Sequence, residues 1–160
     1  MTTNGIPEGY TTVTPWIISP DTAAVIDYLT AAFDAVELGR VVVADGAIGH
    51  AEVRIGDAVV MLFDARPHWP ATPQFLRLYV PDADATHRRA VAAGGTSVTA
   101  VTHLAFGDRV GRVRDPFGNL WWIQTRVEEV DADELARRFA DPRWTAAMEY
   151  VAGVEFFPAG

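Results

Sequence analysis

The chain has 160 residues, of which 49% are hydrophobic, and a formal net charge of -8 at pH 7. This length and apolar content are typical of a globular chain with a core of its own, and the negative charge argues against a nucleic-acid partner because phosphate binding needs a basic surface. Cysteine is absent and all basic residues apart from histidine are arginine, which excludes thiol nucleophiles, thiolate metal sites and lysine Schiff bases.

No apolar run approaches the roughly 20 residues that a bilayer-spanning helix needs. The first residues lack the basic and apolar regions of a signal peptide. We therefore expect a cytoplasmic protein with no membrane partner. The two serines, Ser19 and Ser97, do not lie in a nucleophile elbow, so serine hydrolase chemistry is not indicated.

Taken in chain order, the predicted elements form the order β-α-β-β-β twice. An N-terminal arm over 1–9 precedes a first module over 10–65, and a proline-containing linker separates it from a second module over 73–127. The first module is predicted to hold strands over 11–19, 37–44, 48–55 and 58–63, with a helix over 22–33. The second is predicted to hold strands over 74–80, 96–101, 108–114 and 120–125, with a helix over 82–93.

The two modules also share helix-start and turn residues at nearly constant spacing, which argues for a duplicated unit. The alternative is that such signals recur in any α+β chain. The four matches are Thr14-Pro15 with Thr72-Pro73, Pro20-Asp21 with Pro81-Asp82, Gly49 with Gly111, and Gly56 with Gly118. Residues 128–160 begin acidic and continue in helical patterns, so we expect a C-terminal helical tail that packs on the body or on a second subunit.

A turn with a clear mechanism lies between the last two predicted strands. In Asp115-Pro116-Phe117-Gly118-Asn119, proline presets one φ angle, glycine permits a positive φ, and the Asp and Asn side chains bond nearby backbone. We predict a hairpin here. Trp121, just beyond it, should face the helices as a core residue.

This turn and the duplicated modules resemble the vicinal oxygen chelate superfamily, which includes glyoxalase I, extradiol dioxygenases, and bleomycin and fosfomycin resistance proteins. The segments 13–16, 48–52 and 127–138 resemble its PhnB-type, glyoxalase/bleomycin-resistance-like branch. The resemblance implies an α+β fold in which two tandem βαβββ modules form one cupped eight-stranded mixed sheet. It also implies a small-molecule ligand in the cup and, usually, a homodimer.

Enzymes of this superfamily usually hold a divalent metal with His or Gln, Glu, His and Glu on four strands. In the family the last Glu of a module lies four residues after the turn glycine, and the strand-opening ligand lies about seven residues before the helix-capping Asp. The resemblance therefore maps the four positions onto Thr14, Val60, Phe75 and Trp122, none of which is an effective ligand. We therefore expect no cofactor. The alternative is a divalent metal at a relocated site that uses His50 and Glu52, with His103 as a further ligand.

His50 and Glu52 alternate on one predicted strand and should share the cup face. They are our candidate catalytic pair, with the histidine as acid or base and the carboxylate orienting it. The alternative is a polar wall with no chemistry. The other histidines are expected at the surface: His68 in the linker, His87 on the exposed side of the second helix, and His103 in a loop.

Strand alternation also predicts the lining of the cup, with aromatic walls for flat molecules and arginines for oxyanions. The pattern does not decide whether Trp122 lines the pocket or packs in the core. The predicted ligand-binding residues are Trp16, Phe75, Arg77, Tyr79, Phe106, Arg112, Trp122 and Gln124.

Three functions are consistent with these patterns. The first is a metal-free binder of an aromatic or oxyanion-bearing small molecule, as in resistance members of the superfamily. The second is a lyase, isomerase or dioxygenase that uses His50 and Glu52, with or without a metal. The third is an interaction protein without pocket chemistry. Superfamily membership alone does not decide among them.

Overall fold

The computed structural model describes residues 4–153, which fall into two compact units, one ending at Gln74 and the other beginning at Phe75. Each unit contains a four-stranded mixed sheet that corresponds to one predicted module. From here on, the first and second module mean these two units. In the described part of the chain, no helix is both long and apolar enough to span a membrane.

The first module has the predicted order β-α-β-β-β. Its sheet runs β1-β4-β3-β2, with β1 parallel to β4 and the remaining pairs antiparallel. The elements are β1 (Trp16–Ser19), α1 (Thr22–Phe33), β2 (Val36–Val42), β3 (Ile48–Ile55) and β4 (Ala58–Asp64). The first strand is shorter than predicted: the chain bends at residues 12 and 13, and strand pairing begins only at Trp16.

The second module repeats this order and pairing, so the predicted duplication of the βαβββ unit is confirmed. Its sheet runs β5-β8-β7-β6. The elements are β5 (Phe75–Tyr79), α2 (Ala83–Ala92), β6 (Thr96–His103), β7 (Asp108–Arg114) and β8 (Leu120–Arg126). Two further helices follow, α3 (Ala132–Phe139) and α4 (Pro142–Gly153), as the tail pattern predicts. The predicted apolar end over 155–158 lies outside the described residues.

Both repeat helices begin in the same way. Asp21 caps α1 and Asp82 caps α2, each accepting a hydrogen bond from a backbone N–H three residues on. A second acceptor comes from the sheet, where Asp64 accepts from Thr22 N–H at 2.8 Å and the Thr125 hydroxyl accepts from Ala83 N–H at 2.7 Å. The last strand of each module therefore anchors its own helix.

The predicted turn between β7 and β8 is confirmed, and it is built around one buried carboxylate. Asp115 is 4% exposed and accepts from the backbone N–H groups of Phe117 and Asn119, both at 2.9 Å. Its second oxygen accepts from the Asn119 amide at 2.8 Å and from Trp121 Nε1 at 3.0 Å. Trp121 is buried, as predicted. Four donors thus converge on the Asp115 side chain.

Candidate functional site

One face of the first sheet carries the predicted catalytic pair, and we call it the His50 face. In β3 the residues Ala51, Val53 and Ile55 are buried, whereas His50 and Glu52 alternate with them on the opposite side. Strand pairing places further side chains on the same face, because paired residues of a ladder point the same way. These are Trp16, Met61 and Phe63.

His50 and Glu52 form a contact pair that a third residue completes. His50 Nε2 lies 2.9 Å from Glu52 Oε1, and the hydroxyl of Tyr10 donates to Glu52 Oε2. Hydrogen bonds from Tyr10 and then from His50 hold the pKa of Glu52 below its ordinary value. The carboxylate therefore stays ionised and can orient the imidazole. The prediction that His50 and Glu52 share a face is confirmed.

Tyr10 is a site residue that the sequence did not indicate. Residues 1–9 carry no periodic pattern, and we expected a loose arm there. In the structure the described part of the arm folds onto the sheet, and a cavity of ≈ 430 Å³ lies beneath it. Its lining includes Ile6, Pro7, Tyr10, Glu52 and Met61. The arm thus supplies one wall of a cavity that a carboxylate borders.

Aromatic rings continue along the His50 face. The Trp16 ring lies edge-on to His50, with centroids 5.8 Å apart, and edge-on to Phe63 at 5.3 Å. Trp16 is 39% exposed, so the face presents aromatic surface to solvent. Exposed aromatic rings beside polar groups are the usual lining of small-molecule sites.

The equivalent face of the second sheet gathers most of the predicted ligand-binding residues, and we call it the Arg112 face. Strand pairing aligns Arg77 and Arg112 with Trp122, and their guanidinium carbons lie 5.4 Å and 4.8 Å from the Trp122 ring centroid. Tyr79 is paired with Gln124, and the Gln124 amide donates to the tyrosine oxygen at 3.2 Å. Phe75 opens the same strand and is exposed. Alternation therefore placed these side chains correctly.

Helix α4 packs on the β6–β7 part of the second sheet and leaves the β5 side chains Phe75, Arg77 and Tyr79 exposed. Its residues Ala147, Met148 and Val151 pack with Val110 and Trp122 in one apolar cluster, together with Leu104 and Phe106. Arg112 is 0% exposed and Gln124 is also buried. Burial, with a contribution from Arg114, lowers the pKa of the Arg112 guanidinium. Phe106 and Trp122, predicted to touch ligand, pack against the tail cluster here.

The strand registers correct two of the four positions that the resemblance assigned to metal ligands. Val60 pairs with Val53 on the α1 side of the sheet and is buried, so it cannot correspond to Trp122, which pairs with Arg112 on the opposite side. The β3–β4 hairpin continues for three more residue pairs beyond Glu52 and Met61 before it turns. Counting from the turn glycine therefore lands on the wrong face, since an odd shift reverses every side chain.

By strand register, Phe63 of the first module is equivalent to Trp122 of the second. Trp16, and not Thr14, is equivalent to Phe75. Trp16 pairs with Met61 as Phe75 pairs with Leu120, and Phe63 and Trp122 follow two residues on in their strands. All four positions hold aromatic side chains, which offer no metal ligand. The residues present therefore do not fit the usual ion. In the described part of the chain, no three His, Cys, Asp or Glu side chains are grouped as a metal site would require.

The histidines outside the His50 face differ in part from expectation. His68 is exposed, as predicted. His87 was placed on the wrong side of α2: its ring is half-buried against the sheet, with Nε2 3.0 Å from the Thr99 carbonyl, and it packs where Gly111 leaves room. His103 was predicted in a surface loop, but it is the last residue of β6 and is half-buried, 3.0 Å from Glu128 and edge-on to Trp144 at 5.1 Å. Both have structural partners in the second module.

Comparison with known proteins agrees with this architecture. Residues 10–123 match the model of the Glyoxalase/Bleomycin resistance protein/Dioxygenase superfamily. The chain is 42% identical over 134 residues to the uncharacterized protein Mb0911c of Mycobacterium bovis, covering 77% of this chain and 88% of that one.

Solved structures share the fold. TioX from Micromonospora sp. ML1 superposes with a TM-score of 0.60 at 24% identity, covering 76% of this chain and 100% of that one. A PhnB protein from Bacillus cereus superposes with a TM-score of 0.54 at 15% identity, covering 74% of this chain and 100% of that one.

The duplicated βαβββ modules, with a polar and aromatic face on each sheet, define a protein of the vicinal oxygen chelate type. The chain belongs to the Glyoxalase/Bleomycin resistance protein/Dioxygenase superfamily.

Proposed function

We propose that this protein binds a small aromatic or oxyanion-bearing molecule on the His50 face, without the divalent metal that is usual in its superfamily. The observation that carries the proposal is the aromatic pair Trp16 and Phe63 on the His50 face, at two of the strand positions where a metal site would need ligands; Phe75 and Trp122 hold the equivalent positions of the second module. An aromatic wall gains binding energy from stacking and apolar burial where a metal site would need carboxylates and imidazoles.

The His50 face supports this proposal better than the Arg112 face does. On the His50 face the exposed Trp16 lies beside the partly exposed pair His50 and Glu52. On the Arg112 face the aromatic residues Phe75 and Tyr79 are exposed, but the polar groups Arg112 and Gln124 are buried. A ligand on the His50 face could stack on Trp16 and donate a hydrogen bond to Glu52. Within the superfamily we propose the PhnB-type branch, on the sequence of segments 13–16, 48–52 and 127–138 and on the shared fold of the Bacillus cereus PhnB protein.

Metal analysis and ligand screening together test the proposal. We expect purified protein to contain substoichiometric divalent metal and to show a raised melting temperature with some members of a panel of aromatic compounds, because ligands that bind only the native state stabilise it. Trp16→Leu should remove that stabilisation, whereas Phe139→Leu, on the exposed surface of α3, should keep it. Stoichiometric metal, or ligand stabilisation unchanged in Trp16→Leu, contradicts the proposal.

A second candidate function is acid–base catalysis of the lyase, isomerase or dioxygenase type. The hydrogen-bonded series Tyr10–Glu52–His50 favours it, since a carboxylate that holds an imidazole in place is a common arrangement for a general base. Given a substrate from an activity screen, His50→Ala should abolish turnover while leaving the melting temperature near that of the wild type. Unchanged turnover in His50→Ala would remove this candidate.

A cytoplasmic location remains an expectation from the sequence.

We also propose that the protein is a homodimer. Strand β2 lies at the edge of the first sheet and is exposed along its length, with Val36, Leu38 and Val42 each about half exposed. Exposed apolar edge strands are pairing surfaces. Light scattering should give twice the chain mass of 17.4 kDa, and Val42→Lys should shift it toward one chain mass. A monomeric wild type contradicts this proposal.

A further inference from the structure

The segment that follows β4 carries a second aromatic wall. We predicted a linker over 66–72, yet here the chain turns back, with Trp69 N–H donating to the Arg66 carbonyl at 3.0 Å. The turn brings the Trp69 ring edge-on to Phe63, with centroids 6.1 Å apart. Because Phe63 also contacts Trp16, the aromatic surface of the His50 face continues into this segment.

A cavity of ≈ 680 Å³ lies against this wall. Its volume falls within the range of about 300–1,000 Å³ that is typical of small-molecule sites. The lining combines the rings of Phe63, His68 and Trp69 with the β2–β3 turn and with three charged residues, Asp45, Asp64 and Arg66. Trp69 is 42% exposed, so part of this side chain is accessible to a ligand.

The charged residues of the lining are not equally available to a ligand. Both carboxylate oxygens of Asp64 accept backbone hydrogen bonds, from Thr22 and Ile48, each at 2.8 Å. Asp45 accepts from the Ala47 N–H at 3.0 Å within the β2–β3 turn. Arg66, in contrast, takes part in none of the ion pairs among the described residues. Its guanidinium carbon lies 5.8 Å from the Trp69 ring centroid.

We propose that this cavity binds a planar aromatic carboxylate, with its ring stacked on Trp69 and its carboxylate held by the guanidinium of Arg66. An arginine fork beside an aromatic face suits this class of molecule, because the fork pairs with both carboxylate oxygens while the ring supplies apolar contact. The inference rests on the proposed function and narrows its ligand from an aromatic or oxyanion-bearing molecule to an aromatic carboxylate. It also adds Trp69 and Arg66, which no sequence pattern indicated.

Calorimetric titration with three matched probes tests the inference. Naphthoate, naphthylmethylammonium and naphthylmethanol share one ring system and differ in charge. We expect naphthoate to bind at least about tenfold more tightly than the other two, the size expected for a hydrogen bond to a charged group. Arg66→Gln should remove this preference, and Trp69→Leu should weaken all three probes.

Control variants and the pattern of outcomes separate this inference from the proposed function. Arg88→Gln removes an exposed arginine outside the cavity and should bind like the wild type, and all variants should keep the wild-type melting temperature. If the three probes bind equally, if the ammonium probe binds best, or if Arg66→Gln retains the preference, the inference fails while aromatic binding stands. If no aromatic probe or panel member binds, the proposed function fails with it.

Discussion

In the first module Trp16 keeps 39% of its surface exposed beside a titratable pair, whereas in the second module Arg112, on the corresponding face, is 0% exposed beneath α4. The two modules share one chain path, one strand order and one way of starting their helix. The backbone of the module is therefore repeated, but the two faces expose different groups. On the Arg112 face the exposed side chains Phe75 and Tyr79 lie on β5, whereas the polar groups Arg112 and Gln124 are buried. We place the ligand on the His50 face because exposed aromatic surface and accessible polar groups occur together there.

The hairpins at the ends of the two sheets also differ. The first module turns through Gly56 and Asp57 directly between paired residues, whereas the second uses five residues around the buried Asp115. A two-residue turn needs little support from side chains. The longer turn depends on the Asp115 carboxylate, which accepts hydrogen bonds from four donors. The stability of this turn therefore depends mainly on one residue.

Asp115→Ala should cost more stability than any other single change in the two hairpin turns or in α4. It leaves donors of Asn119 and Trp121 buried without their charged acceptor, which costs about 2–4 kcal/mol of unfolding free energy. Urea denaturation measures the loss. Asp57→Ala, in the exposed turn of the first module, is the matched control and should stay within about 0.5 kcal/mol of the wild type. Equal losses in the two turns would mean that the modules do not differ as described.

Val151→Ala tests whether α4 is an integral cover of the Arg112 face. Val151 is 1% exposed in the cluster with Val110 and Trp122, and loss of its methyl groups with the resulting cavity should cost about 2 kcal/mol. Glu149→Ala, on the exposed side of the same helix, should cost less than about 0.5 kcal/mol. A Val151→Ala variant as stable as the wild type would show that α4 is only loosely attached.

Tyr10→Phe should have the smallest effect on stability and a defined effect on titration. Without the phenol hydroxyl, the pKa of Glu52 should rise toward its ordinary value of about 4.3, and NMR titration of the Glu52 carboxyl measures this.

The lowered pKa of Glu52 also sets the pH range in which this carboxylate stabilises the fold. Its contribution is present above the pKa of the unfolded chain and is lost as the pH falls through the folded pKa. The difference in stability between Tyr10→Phe and the wild type should therefore be seen at neutral pH and shrink below about pH 4. A difference that persists at low pH would assign the effect to packing.

Much of the fold could be predicted from the sequence because its signals are local. The helix caps at Asp21 and Asp82, the Asp115 turn and the alternation of β3, β7 and β8 each depend on neighbours within a few residues. The same alternation placed His50 with Glu52 and Arg112 with Trp122. The role of these residues in binding or catalysis remains a prediction.

The tertiary structure determined the strand equivalences and the contacts of irregular segments, which local sequence patterns cannot predict. The match of Phe63 with Trp122 depends on how far β3 and β4 pair before turning, and counting from the turn gave Val60. The contacts of Tyr10 with Glu52 and of Trp69 with Phe63 join irregular segments to the sheet, and no periodicity marks such contacts. The sequence by itself therefore determined the two modules and the side on which most strand residues lie. Long-range packing determined which polar side chains stay accessible, since burial depends on elements distant along the chain.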